Sequence, residues 1–220
     1  MDITNKSAKK VRSRKRLIRH HFPLFLISLG SVLLIFAFRK SPDFISNISI
    51  STAYPGLALL AATLVVTPLQ KMLRRSNPVS TDFRRDLGFW AAMVSLVHVV
   101  FGLQVHLRGR MWLLFLKQDL EFPFIRFDLF GAANYTGLIT ALILIVLFAT
   151  SNDWSLKKLG LKRWKRLQRW NYVLFAVVVL HGILYQVVEK RIPPYIYLFA
   201  GIVAIVVIIR VVGFLYRKRS

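Results

Sequence analysis

The chain contains no cysteine. That removes a disulfide scaffold, a thiol catalyst, a cysteine-held iron–sulfur cluster and any thiolate-ligated iron centre. Acidic residues are scarce: 9 Asp and Glu stand against 32 Lys and Arg in 220 residues, a formal charge of +23. None of those acids falls in the core of a long apolar run, and no inverted repeat is evident, so a transporter or ion path finds little to work with. No Gly-rich dinucleotide fingerprint follows a strand, and these residues leave no room for a flavin or nicotinamide domain. Any electrons this chain moves come from other molecules and go to other molecules. Histidines number five: His20, His21, His98, His106 and His181.

Apolar sequence is abundant. The hydrophobic fraction is 55% and the mean hydropathy +0.52, too apolar for an ordinary soluble domain. Six runs have the length and composition of membrane helices: Phe22–Phe38, Tyr54–Leu73, Asp86–His106, Ala133–Thr150, Trp170–Val188 and Tyr195–Tyr216. The expected fold is all-α, a six-span transmembrane helix bundle; short alternating strands of the barrel type are missing. The basic residues lie between the runs, so topology and anionic lipid account for them and nucleic acid is not implied. The N-terminal arm, the loops after spans two and four and the C-terminus carry 8, 5, 7 and 3 basic residues; the other loops carry 2, 4 and 2. The positive-inside rule then places both termini in the cytoplasm. The expected division is a basic cytoplasmic tail over residues 1–21, the six-helix domain over 22–216 and a basic tail over 217–220. No small-residue cleavage site follows the first run, so the arm precedes a retained span and is expected to lie, partly disordered, against anionic lipid.

Local signals fill in the rest. Ser41–Thr52 reads as a polar loop, with Pro55 in the first turn of span two and Pro68 bending or breaking its inner end. Thr81 or Asp82 is placed to cap span three. Met111–Phe130 is too charged to span and reads as an interfacial amphipathic segment or a structured outer loop. Trp154, Trp164 and Trp170 sit among seven basic residues of Ser151–Arg169, as in an interfacial belt. Arg210 is near enough to the end of span six to snorkel.

His98 lies 13 residues after Arg85 and His181 lies 12 after Arg169. Spans three and five run in the same direction, so both imidazoles sit roughly 18–20 Å beyond the inner basic flank, at 1.5 Å per residue. Two imidazoles at one depth on two helices can clamp a porphyrin, as the axial ligands of one membrane-embedded haem b. Gly102, Gly182 and Gly88 offer room for a flat macrocycle or, equally, for helix packing. Two other readings stay open: a pair of buried histidines bonded to each other or to carbonyls, and a zinc site, for which no Cys, Asp or Glu lies at that depth. His106, near the outer surface, faces a substrate, a partner or the headgroups; His20 and His21 beside Arg19 receive no role.

Several short pieces recur in order along the chain: Tyr54-Pro55-Gly56, Thr67-Pro68-Leu69, Arg84-Arg85-Asp86-Leu87-Gly88 with His98, Asn134-Tyr135-Thr136-Gly137, Ala149-Thr150-Ser151, Trp164-Lys165-Arg166-Leu167 and Leu180-His181. From about Tyr54 to Tyr185 the chain thereby resembles the ferric reductase-like transmembrane domain superfamily, and within it the MsrQ (YedZ) family of haem-binding subunits. The resemblance implies a bis-histidine haem b on His98 and His181 and electrons drawn from quinol or a flavin reductase on the inner side. It further implies delivery to a periplasmic or lumenal redox protein like the molybdenum subunit MsrP, which reduces methionine sulfoxide in envelope proteins. FMN or quinone is a further cofactor that it allows. The expected location is a bacterial inner membrane, multi-pass, with a photosynthetic membrane left open. One departure stands out. The family has Leu-His-Arg where this chain has Leu167-Gln168-Arg169, and Gln168 and Arg85 occupy the positions 13 residues before His181 and His98. An inner haem on imidazoles is therefore not expected. The alternative role is a non-catalytic structural or assembly subunit of a larger membrane complex on the same scaffold.

Overall fold

The computed structural model describes residues 14–39, 41–73, 81–107, 109–118, 123–191 and 193–219. Among the described residues seven α-helices carry the fold: α1 (Phe22–Arg39), α2 (Phe44–Met72), α3 (Thr81–Gly102), α4 (Leu129–Ala149), α5 (Asp153–Gln168), α6 (Trp170–Val188) and α7 (Tyr195–Arg219). Six stretches of helix are long and apolar enough to cross a membrane, as expected of an all-α six-span bundle. Large apolar side chains are exposed along α1, α4, α6 and α7, Leu34, Leu142, Ile183 and Ile208 among them. In water such a surface would be unfavourable; against hydrocarbon it is the required one.

The central helix is α2. Its most apolar stretch is 67% buried, against 6% for α7, and α2 packs on α1, α3, α6 and α7. The expected polar loop at Ser41–Thr52 is largely helix, because α2 begins at Phe44. Several of the polar residues there bond within the bundle. Asn47 Nδ2 donates to the Phe36 carbonyl on α1 at 3.2 Å, and Thr52 Oγ1 donates to the Ile48 carbonyl at 2.8 Å. A hydroxyl bonded to its own helix hides its polarity where water is scarce. Pro55 is accordingly inside the helix rather than in its first turn, and α2 continues past Pro68 to Met72. Gly213 of α7 packs on Pro68, where an added Cβ would come within 2.9 Å of the ring, so neighbouring packing holds the helix together at that point.

At the basic end, Arg14–Arg39 is helical throughout, with a π-turn at Leu17–His21. Residues 14–21, expected in the tail, thus extend the first span; residues 1–13 lie outside the described residues. The basic stretch after span four forms α5, capped by Asn152 Oδ1, which accepts from Ser155 N at 2.7 Å. Gly160 breaks its helical path at φ 72°, ψ 158°, a conformation glycine adopts without steric cost. Trp164 Nε1 donates to the Thr150 carbonyl at 2.9 Å, pinning α5 to the end of α4.

At the other end, Met111–Phe130 is a structured loop: a 3₁₀ turn (Met111–Leu114), then β1 (Leu116–Gln118) paired antiparallel with β2 (Pro123–Ile125). Asn134 Nδ2 donates to the Leu114 carbonyl at 3.2 Å and Tyr135 Oη to the Phe115 carbonyl at 2.5 Å, docking the loop on α4. The paired strands mark this as the hairpin end of the bundle. Asp128 caps α4, accepting from Gly131 N at 2.7 Å and pairing with Arg126 at 2.8 Å.

The Arg126 guanidinium holds the Asp128 carboxyl below its ordinary value of 3.8. Its contribution is therefore complete above that value and is lost only as the pH falls through the depressed one. Asp128→Ala should lower thermal stability in detergent by about 1 kcal/mol at neutral pH. The gap from the parent should close at strongly acid pH; an equal gap at all pH values would mean the cap charge is irrelevant.

Candidate functional site

His98 on α3 and His181 on α6 meet across one cavity, their ring centroids 6.4 Å apart with planes at 70°. Their helices reach this position through different neighbours. Helix α3 packs closely on α2, and α6 on α4, so each histidine faces a backbone carbonyl of its own partner helix. His98 Nδ1 lies 2.8 Å from the Ser49 carbonyl, and His181 Nδ1 lies 2.9 Å from the Ala133 carbonyl. A carbonyl only accepts, so in each ring Nδ1 carries the proton and donates it. In the neutral ring Nε2 is then left with its lone pair, the tautomer a metal-ligating histidine needs. Among the described residues neither Nε2 makes a hydrogen bond, and the two histidines do not bond to each other.

The cavity between them has a volume of about 230 Å³. It is walled mainly by apolar side chains, among them Leu57, Leu60, Val99, Leu144 and Val178, with a few polar groups. An apolar chamber with two convergent imidazole lone pairs suits a large flat ligand whose metal accepts both nitrogens. Zinc is poorly served: no group of three or more His, Cys, Asp or Glu able to hold a metal exists among the described residues.

The glycine that makes room is Gly137 on α4. A Cβ there would stand 2.7 Å from His181 Cε1 and 3.0 Å from its Nδ1, closer than packed atoms tolerate. Gly102 would meet only ordinary contacts, at 3.5 Å and beyond, and Gly88 meets nothing within 4 Å. Gly182 is needed for a different reason: the Phe199 ring of α7 lies where its Cβ would be, at 2.4 Å. Tyr185 completes the wall, its ring 5.0 Å from that of His181 and its hydroxyl donating to Asn134 Oδ1 at 2.6 Å.

His106 lies at the cavity's hairpin end. Its Nε2 is 3.0 Å from Glu189 Oε1, and its ring stacks on Tyr185 at 6.3 Å. It therefore contacts an acid of the loop after α6. His20 and His21 have a function the sequence did not suggest. Asp86 on α3 is 1% exposed, and His20 Nδ1 (2.8 Å), His21 Nε2 (3.2 Å) and Arg16 Nε (2.9 Å) converge on it. The sequence signal was the isolated acid at the start of an apolar run, which in lipid demands partners.

Towards the basic end the bundle is closed. Leu64, Leu87, Ala91, Ala92, Leu147, Leu174 and Phe175 form part of one buried core. Arg85 is bound to the Ser151 carbonyl and, at 2.6 Å, to Asp153; Gln168 Nε2 donates to Ser151 Oγ at 3.3 Å. The two positions 13 residues before the histidines thus tie α3 and α5 to the end of α4.

Residues 52–179 match the family of ferric reductase-like transmembrane components, a stretch containing His98 and ending two residues before His181. Magnetosome protein MamZ of Magnetospirillum gryphiswaldense is 37% identical over 149 residues, which are 67% of this chain and 21% of that longer protein. The haem-binding subunit MsrQ of protein-methionine-sulfoxide reductase from Yersinia pseudotuberculosis is 28% identical over 170 residues, 77% of this chain and 76% of that one. MsrQ of Yersinia pestis is similar at 28%, over 75% of its length. The chain thus spans about a fifth of the first relative and about three quarters of the others.

Two outcomes test this geometry. Gly137→Ala should displace the His181 ring and abolish any ligand spectrum that depends on it, while Gly88→Ala leaves that spectrum unchanged. Asp86→Ala removes the acid on which Arg16, His20 and His21 converge and should destabilise the detergent-solubilised protein by about 3 kcal/mol; a thermal scan matching the parent would show the cluster to be energetically neutral.

Proposed function

The chain belongs to the ferric reductase-like transmembrane component family, and on that footing we propose that it is a membrane electron-transfer subunit holding one haem b between His98 and His181. The observation that carries this is the pair of imidazoles in one apolar cavity, each donating Nδ1–H to a backbone carbonyl and keeping Nε2 free. Haem bound there would supply one-electron exchange with no bond made or broken in the protein. The protein's part is to hold and tune. The Ser49 and Ala133 carbonyls fix the ring orientation and raise the donor strength of the opposite nitrogens. The leucine and valine walls exclude water, and Gly137 gives His181 its place.

A single haem near the hairpin end is supported by the closed core at the basic end, where Arg85 and Gln168 are engaged in structural bonds. The donor then works across the bundle's basic half: a quinol within the membrane, or a flavin at its surface. With both termini cytoplasmic, as the distribution of basic residues favours, the hairpin end faces a periplasmic or lumenal redox partner. The similarity to the haem-binding subunit of a protein-methionine-sulfoxide reductase supports a redox partner, which on the sequence resemblance is an MsrP-like acceptor at a bacterial inner membrane. The match to part of a magnetosome protein favours a second reading for the acceptor: a subunit of a different membrane assembly using the same scaffold.

Purified protein should show a low-spin bis-imidazole b-type spectrum in reduced-minus-oxidised difference. His98→Ala and His181→Ala should each remove it at unchanged expression level. Parent protein purified after haem supplementation that shows no such spectrum would overturn the reading.

A further inference from the structure

The cavity opens at the hairpin end onto charged side chains that do not balance. His106, Glu189 and Arg191 line it there, with Ser46 and Tyr54. Glu189 is engaged by His106 at 3.0 Å. Arg191 makes no side-chain hydrogen bond or ion pair among the described residues. A second guanidinium stands nearby: Arg39, the last residue of α1, is close enough to Arg191 for the two to repel. Arg39 is held by Ser46, donating to its carbonyl and, at 3.0 Å, to its Oγ. A cation at the wall of an apolar cavity, without a partner among the described residues and with a second cation near it, favours an anion there.

The backbone is bent to bring Arg191 there. Helix α6 ends in a Schellman turn: Arg191 N donates to the Gln186 carbonyl at 3.0 Å and Lys190 N to the Val187 carbonyl at 3.2 Å. Lys190 adopts φ 45°, the left-handed conformation normally left to glycine in this turn. The chain reverses over Lys190 and returns the next residue, Arg191, to the cavity wall.

We infer that Arg191, backed by Arg39, is the carboxylate clamp of this cavity and receives the propionate groups of the porphyrin. This rests on the haem reading above. It adds a polarity: the carboxylate edge of the macrocycle belongs at the hairpin end, where His106 satisfies Glu189 and keeps that acid from competing for Arg191. The same guanidinium chemistry would serve a free anion, which the test separates.

The experiment titrates full-length apoprotein in detergent with haemin and with haemin dimethyl ester, whose carboxylates are masked. The parent should bind haemin roughly 10-fold or more tightly than the ester, the scale of a lost charge-assisted bond. Arg191→Gln should erase that preference by weakening haemin alone, with ester affinity and the low-spin spectrum kept, and Arg191→Lys should restore part of it. Ester binding serves as the folding control. Equal parental affinities would overturn the clamp while leaving the bis-histidine site standing, and a preference that inorganic phosphate abolishes without displacing haemin would assign Arg191 to a free anion instead. Equal weakening of both porphyrins in Arg191→Gln would reduce Arg191 to a structural residue. Failure of both to give a low-spin spectrum in the parent would remove the haem reading itself, and the clamp with it.

Discussion

Two hydrogen bonds from imidazole to backbone set the character of this protein. His98 donates to the Ser49 carbonyl of α2, and His181 donates to the Ala133 carbonyl of α4. Each bond crosses between helices, fixes the tautomer and turns the other nitrogen into the cavity. Without them each ring could rotate about its side chain, and the 6.4 Å spacing between ring centroids would not be held. The packing of α2 on α3 and of α4 on α6 is what makes those carbonyls available.

The bundle is built differently at its two ends. Towards the hairpin it is open, lined by polar and charged side chains on an apolar chamber. Towards the basic end it is dry and closed by leucine and alanine packing. The charges at that end are spent on structure: Asp86 gathers Arg16, His20 and His21, and Arg85 binds Asp153. A buried acid with three cationic or protonatable partners anchors the first helix on the third, because leaving any one of them unpaired would be costly. The cavity is therefore confined by packing to one half of the bundle.

Much of this was legible in the chain. Apolar runs of membrane length gave six spans, and the Trp170–Val188 helix has the bounds read from sequence. Nearly equal spacing of His98 and His181 from their basic flanks, 13 and 12 residues, suggested that they meet, and the fold brings them to one cavity. Other features were misread for identifiable reasons. Ser46, Asn47, Ser49, Ser51 and Thr52 look like loop by composition, yet they are helical: Ser46, Asn47 and Ser49 bond to neighbouring helices and Thr52 to carbonyls of its own. Gly137 escaped notice as a space-maker, since a glycine's purpose depends on what lies opposite, here the His181 ring. His20 and His21 looked idle because Asp86 is more than sixty residues away in sequence.

What the sequence determined by itself was whatever depends on hydrophobicity and residue count: helix type, the number of membrane-length helices, the place of the two histidines along their apolar runs and the exclusion of thiol chemistry. Those follow from the free energy of placing each residue in lipid or water, which adds up locally along the chain. What only the tertiary structure decided was pairing: which carbonyl meets which imidazole, which cations meet Asp86, and that Arg191 stands at the cavity without a counter-ion. Such contacts depend on helix rotation and on the reversal at Lys190, and both are set by side-chain packing between segments distant in sequence.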